Sequence, residues 1–168
     1  MQSEDPLATS SLAGIDPKRE NEAPASRGLN ASVRNSAKKF LILVVDDSAD
    51  NVAILSLDLQ GQGYRVVTAT NGEEAISVAS ATLPNLILMD ISMPRLDGLG
   101  ATRRIREKEA LRDVPVIAVT AFGTEGFQRA AYDAGVLGYL TKPIDFGRMH
   151  QLVARLLGSA SSDNSIDP

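Results

Sequence analysis

From residue 40 onward, short and almost wholly apolar runs alternate with longer stretches in which apolar residues recur every three or four positions. The runs fall at about 40–45, 65–69, 86–89, 115–119 and 137–140. Continuous apolar runs of this length suit strands covered on both faces, as parallel strands are. Their alternation with amphipathic segments is the pattern of repeated βα units. The expected fold class is therefore α/β, a doubly wound parallel sheet of five strands with right-handed crossovers and helices on both faces. Val52, Leu55 and Leu59 stripe the first helix, which Gly61 and Gly63 end. Asn71 and Glu74 read as a cap and third-position acid for the second. The third, at roughly 98–107, turns only Leu99 and Ile105 clearly inward. Phe127, Ala130, Ala131 and Ala134 stripe the fourth, stopped by Gly135, and Phe146, Met149, Val153 and Leu156 stripe the fifth behind Asp145.

What ends each run matters as much as the run. Asp46 and Asp47 close the first, Asp90 the third, Thr120 the fourth, and Thr141, Lys142 and Pro143 follow the fifth. Parallel strands present their carboxyl ends on one edge, and ligands of such sheets sit beyond that edge where the strand order reverses. Three carboxylates would then share a small volume. Two unit charges about 4 Å apart at an effective dielectric near 20 repel by roughly 4 kcal/mol, so three such pairs cost on the order of 12 kcal/mol without a cation. A hard divalent ion is implied, most naturally Mg²⁺. With a hydroxyl and an ammonium on the same rim, the set suits a phosphoryl group, with Asp90 as nucleophile.

The motifs Val-Asp-Asp at 45–47, Met-Asp-Ile-Ser-Met-Pro at 89–94, Asp97-Gly98, Val-Thr-Ala at 119–121 and Tyr-Leu-Thr-Lys-Pro at 139–143 resemble those of the bacterial response-regulator receiver domain. Each is weak alone; their order and separations of 43, 30 and 22 residues between Asp47, Asp90, Thr120 and Lys142 make the set specific. The resemblance implies a flavodoxin-like strand order of 2-1-3-4-5. It implies phosphorylation of Asp90, with Thr120 and Lys142 contacting the phosphoryl group. Mg²⁺ would be held directly by Asp47 and Asp90, through water by Asp46, and by the backbone carbonyl of Ser92. It further implies a cis Lys142–Pro143 peptide, and a switch in which Tyr139 follows Thr120 inward and biases a surface of the fourth helix, fifth strand and fifth helix. By the same resemblance, Ser92 and Phe122 occupy the positions that in this family tune hydrolysis of the acyl phosphate; neither orients a water well, so a long-lived phosphorylated state is expected. The implied partners are a histidine kinase or histidine phosphotransfer protein and a downstream protein target.

Composition narrows the rest. Of 168 residues, 43% are apolar, enough for one well-cored domain. A net charge of −4 leaves no basic excess for nucleic acid or membrane surfaces, so neither partner is expected. Without cysteine there is no disulfide frame or thiolate metal centre. No apolar run has the length of a membrane span and no secretory signal is apparent, so a cytoplasmic protein is expected. Residues 1–38 read as a disordered leader, 39–158 as the receiver and 159–168 as a flexible tail, too short for an output domain. The expectation is a stand-alone response regulator that catalyses only its own phosphorylation and dephosphorylation and is otherwise no enzyme. The alternatives are a phosphorelay intermediate or phosphate sink, an Asp-dependent phosphatase, which usually places its second Asp two residues after the first, and a phosphorylation-independent scaffold. The single histidine, His150, reads as a polar-face residue of the fifth helix.

Overall fold

Every residue of β1 (Leu41–Val45), β3 (Leu86–Asp90) and β4 (Val116–Thr120) is buried, the reason their sequences carry no polar alternation. β2 (Arg65–Ala69) and β5 (Gly138–Thr141) form the edges of a five-stranded sheet of order β2-β1-β3-β4-β5, parallel throughout. This computed structural model describes residues 40–162, with side chains through Gly158; the expected leader and most of the expected tail lie outside the described residues. Five helices cross between the strands: α1 (Ala49–Gly61), α2 (Gly72–Thr82), α3 (Gly98–Arg106), α4 (Glu125–Asp133) and α5 (Phe146–Ser162). A 3-10 turn at Glu109–Leu111 precedes β4.

Strand side chains alternate between two separate cores. Leu43, Val45, Ile87, Met89 and Ala118 face α2, α3 and α4, meeting Ala75, Ala79, Ala101, Ile105 and Ala131. Ile42, Val44, Leu88, Ile117 and Val119 face α1 and α5, meeting Leu55, Leu59, Met149, Val153 and Leu157. Each fully buried Leu, Ile or Val contributes roughly 1.5–3 kcal/mol of transfer free energy, so the sheet is the stable floor on which the rim stands. At the opposite, amino-terminal edge the Arg106 guanidinium donates to the carbonyls of Arg112 and Val114, both at 2.6 Å, and of Gly135 at 2.8 Å. It thereby ties the end of α3 to the turn between α4 and β5. Gly135 has φ +92°, a conformation that glycine adopts without strain.

The structure departs from the sequence expectations in four places. β5 runs one residue later than expected, Leu137 being 53% exposed ahead of the strand. Phe127, expected in the inward stripe of α4, lies in its first turn at 44% exposure; the buried side of α4 is made by Ala131, and Ala134 caps its end in the core. Small side chains let α4 lie close to the sheet, and the ring stacks instead on Phe122, centroids 5.2 Å apart. α5 continues to Ser162, so residues 159–162 of the expected flexible tail are helical. His150, read only as a polar-face residue, is engaged between helices, with Nε2 2.6 Å from Asp58 Oδ2 on α1, fastening the two helices of one face together.

The start of α2 is as expected. Asn71 Oδ1 accepts the Glu74 N–H at 2.9 Å, and Glu74 Oε2 accepts the Thr70 N–H and hydroxyl at 2.7 Å each. The hydroxyl bond first, then the amide bond, hold the Glu74 carboxyl below its ordinary pKa against a small opposing effect of burial. Because the folded-state pKa is depressed, this stabilisation is present above the ordinary carboxylate pKa and is lost as pH falls through the folded value. Asn71→Ala is expected to lower unfolding free energy by about 1 kcal/mol in urea titrations at neutral pH. The deficit of Glu74→Gln should shrink in the same assay as the wild type is acidified below the carboxylate range.

Candidate functional site

Register places the functional strand ends side by side. β1 pairs with β3 from Ile42 opposite Leu86 to Val45 opposite Met89, so Asp46 lies next to Asp90, and Asp90 itself pairs with Val119. Thr120 pairs with Thr141, one residue before Lys142. Asp46, Asp90 and Thr120 are 1%, 2% and 0% exposed; Asp47, which turns outward at the rim, is exposed. One carboxylate oxygen from each of Asp46, Asp47 and Asp90 lies within 4.8 Å of the others.

Lys142 answers much of the repulsion expected from this cluster. Its Nζ donates to Asp46 Oδ2 at 2.8 Å and to Asp90 Oδ2 at 2.9 Å. Burial works against the charged ammonium, but the hydrogen bonds to Asp46 and Asp90 and the charges of both carboxylates together hold its pKa above the ordinary value. Three carboxylates and one ammonium leave a formal charge of minus two, the charge that one divalent cation offsets. The geometry fits as well as the charge. Mg²⁺ binds oxygen at about 2.1 Å, so oxygens on opposite sides of an octahedral ion are about 4.2 Å apart, within the spread of this cluster.

Backbone turns aim the carboxylates. Ser48 N–H donates to Asp46 Oδ1 and Ser92 N–H to Asp90 Oδ1, both at 2.9 Å, each amide two residues beyond the acid it holds. Lys142–Pro143 is a cis peptide, as expected. Gly98 begins α3 against the backbone of Asp90: a Cβ there would lie 2.1 Å from the Asp90 carbonyl oxygen and 2.8 Å from Ile91 Cα. The Asp97 side chain caps this helix by accepting the Gly100 N–H at 2.6 Å.

On the other side of the rim, Thr120 Oγ1 accepts the Phe122 N–H at 3.1 Å, and the Tyr139 hydroxyl donates to the Phe122 carbonyl. Tyr139, two residues short of the strand end, is 6% exposed, its ring already inward in this structure. Burial pushes its phenol pKa up, more than hydrogen bonding to Thr120 brings it down. The Phe122 ring is 51% exposed and turned onto Phe127.

The structure thus gathers Asp46, Asp47, Asp90, Thr120 and Lys142 on one rim, with Ser92 beside Asp90 and Tyr139 just beneath. It adds one side chain that sequence reasoning did not single out. The Asn51 amide on α1 donates to both oxygens of Asp46, at 3.1 and 3.2 Å. The signal available for it was a carboxamide in the first turn of the helix that leaves the acidic strand end.

Comparison with known proteins agrees with this geometry. Residues 42–154 match the family model of the response regulator receiver domain, and the chain belongs to that family. A curated relative, the polar-differentiation response regulator DivK of Brucella anthropi, is 34% identical over 119 residues, 71% of this chain and 97% of that protein. The receiver domain of the sensor histidine kinase PA1611 from Pseudomonas aeruginosa, with magnesium coordinated in its active-site cleft, is 36% identical with a TM-score of 0.67, covering 71% of this chain and 98% of that one. The CheX–CheY–BeF3–Mg²⁺ complex from Borrelia burgdorferi contains a chain 28% identical with a TM-score of 0.66, covering 70% of this chain and 88% of that one. Among the described residues no helix is long and apolar enough to cross a membrane.

Any side chain at position 98 must push α3 away from Asp90. Gly98→Ala is expected to destabilise the fold by about 1–3 kcal/mol, the usual scale of overpacking. Magnesium titration should show weakened affinity for the same variant, because the Asp90 backbone moves with the helix.

Proposed function

We propose that this chain is a response-regulator receiver that takes a phosphoryl group onto Asp90 from the phosphohistidine of a histidine kinase or phosphotransfer protein. The single observation that carries the reading is the pairing of buried Asp90 with Lys142 inside the acidic cluster. An Asp90 carboxylate oxygen attacks phosphorus, the P–N bond to the donor imidazole breaks, and an acyl phosphate forms. Little covalent chemistry falls to the protein in such a transfer, so orientation and charge do the work. The Ser92 amide and Lys142 orient the carboxylate. Lys142 then follows the charge onto a phosphoryl oxygen, as its flexible stem allows.

Asp47 and Asp90 would hold Mg²⁺ directly, with the Ser92 carbonyl, and Asp46 would hold it through water. Bound there, the ion supplies charge neutralisation and alignment of the phosphoryl oxygens. The Thr120 hydroxyl would donate to a phosphoryl oxygen, and turning to do so alters the bond it accepts from the Phe122 amide. That change, together with the Tyr139 hydroxyl on the Phe122 carbonyl, biases a surface made by α4, β5 and α5 towards a protein target. The relative named as a response regulator is covered over 97% of its length by this chain, which supports a regulator whose receiver is itself the signalling part. The chain acts on no substrate besides its own aspartyl phosphate.

With phosphoramidate and Mg²⁺ the protein is expected to gain one phosphoryl equivalent by intact-mass spectrometry, and Asp90→Asn none. Equal uptake by the variant would refute the assignment. Ser92 and Phe122 offer no carboxylate or amide side chain to orient a water, so the acyl phosphate should persist far longer than minutes in Mg²⁺; decay within seconds would contradict this.

A further inference from the structure

The three carboxylates are not equally available to a metal. Asp46 Oδ1 accepts Ser48 N–H at 2.9 Å and the Asn51 amide at 3.1 Å, while Oδ2 accepts Lys142 Nζ at 2.8 Å and the Asn51 amide at 3.2 Å. The Asn51 amide nitrogen bridges the two oxygens in a three-centre bond, so each Asp46 oxygen meets two donor atoms. Asp90 accepts one bond on each oxygen, from Ser92 N–H and Lys142. The exposed Asp47 side chain accepts none among the described residues. Donors therefore grade the cluster, from an open carboxylate through one with a single donor on each oxygen to one with two donor atoms on each.

We propose that Asn51 is a positioning residue that sets ion selectivity by keeping Asp46 out of direct coordination. This rests on the receiver reading above, in which a divalent ion occupies the cluster. Mg²⁺ keeps several of its waters and binds through one or two carboxylates, whereas Ca²⁺ takes six to eight oxygens and accommodates bidentate carboxylates readily. Two direct carboxylates with a third held one water away is a Mg²⁺ arrangement. Ser48 and Lys142 each occupy a different oxygen of Asp46 and would leave a lone pair free on both. Among the described residues only the Asn51 amide bridges both oxygens, from a helix that carries no other part of the cluster. Without its amide, Asp46 can turn an oxygen onto the ion, and the added ligand favours Ca²⁺ over Mg²⁺.

The test is calorimetric titration of the full chain with Mg²⁺ and, separately, Ca²⁺, for wild type, the isosteric Asn51→Leu and the helix-favouring Asn51→Ala. Urea midpoints identify which variant retains the fold. The preference for Mg²⁺ over Ca²⁺ is expected to fall by about tenfold in either variant, the scale of one net hydrogen bond. Carbon NMR of the aspartate carboxylates supplies a second readout. On Mg²⁺ saturation Asp47 and Asp90 should shift strongly in the wild type, and Asp46 should join them when Asn51 is replaced. An unchanged preference, or equal weakening of both ions, overturns the role of Asn51 while leaving the receiver reading intact. A wild type that binds no Mg²⁺ overturns both.

Discussion

Like charges do not assemble unaided, and the rim of this sheet exists because Lys142 lies between two of its three acids. Parallel pairing of β1 with β3 forces Asp46 and Asp90 to be neighbours whatever the electrostatic penalty. The fold accepts that penalty only because the ammonium, two backbone amides and a carboxamide meet the buried oxygens. These four charged groups together carry a formal charge of minus two. An apolar sheet, buried on both faces, thus supplies the stability that a deliberately unbalanced edge consumes.

That imbalance is coupled to the opposite side of the rim by a short loop. Phe122 is engaged at three points: its amide by Thr120, its carbonyl by Tyr139 and its ring by Phe127. A hydroxyl that turns towards a different acceptor alters the geometry of the amide bond it receives. The first turn of α4 is therefore mechanically in series with Thr120 through stacked aromatic rings. The inward position of Tyr139 shows that the ring needs no further cavity to be accommodated beneath the rim.

Much of this was legible in the chain itself, for reasons that differ by element. β1, β3 and β4 could be read because strands covered on both sides tolerate no polar residue, and their terminal acids and hydroxyl stand out against that background. Capping of α2 was readable from Asn71 and Glu74 because its partners are local. Asn51 was not, since its role depends on an amide crossing from α1 to the end of β1. Nor was the second bond of Lys142, to Asp46, separated from it by 96 positions. Phe127 was misplaced because an aromatic at helical spacing is ordinarily core, whereas here it lies in the first turn of α4 and stacks on Phe122 while Ala131 makes the buried side. The turn towards Asp58 by His150 is likewise a fact of helix packing.

The Arg106 clamp gives the molecule a fixed end. By holding the Gly135 carbonyl together with those of Arg112 and Val114, it anchors the tail of α4 to the chain that feeds β4. The head of the same helix, at Glu125 to Phe127, has exposed side chains and meets the rim through stacked rings. A rod pinned at one extremity pivots more readily than it slides. A small push near Thr120 would accordingly emerge as an angular sweep of the helix, greatest where its surface is most open to a visitor.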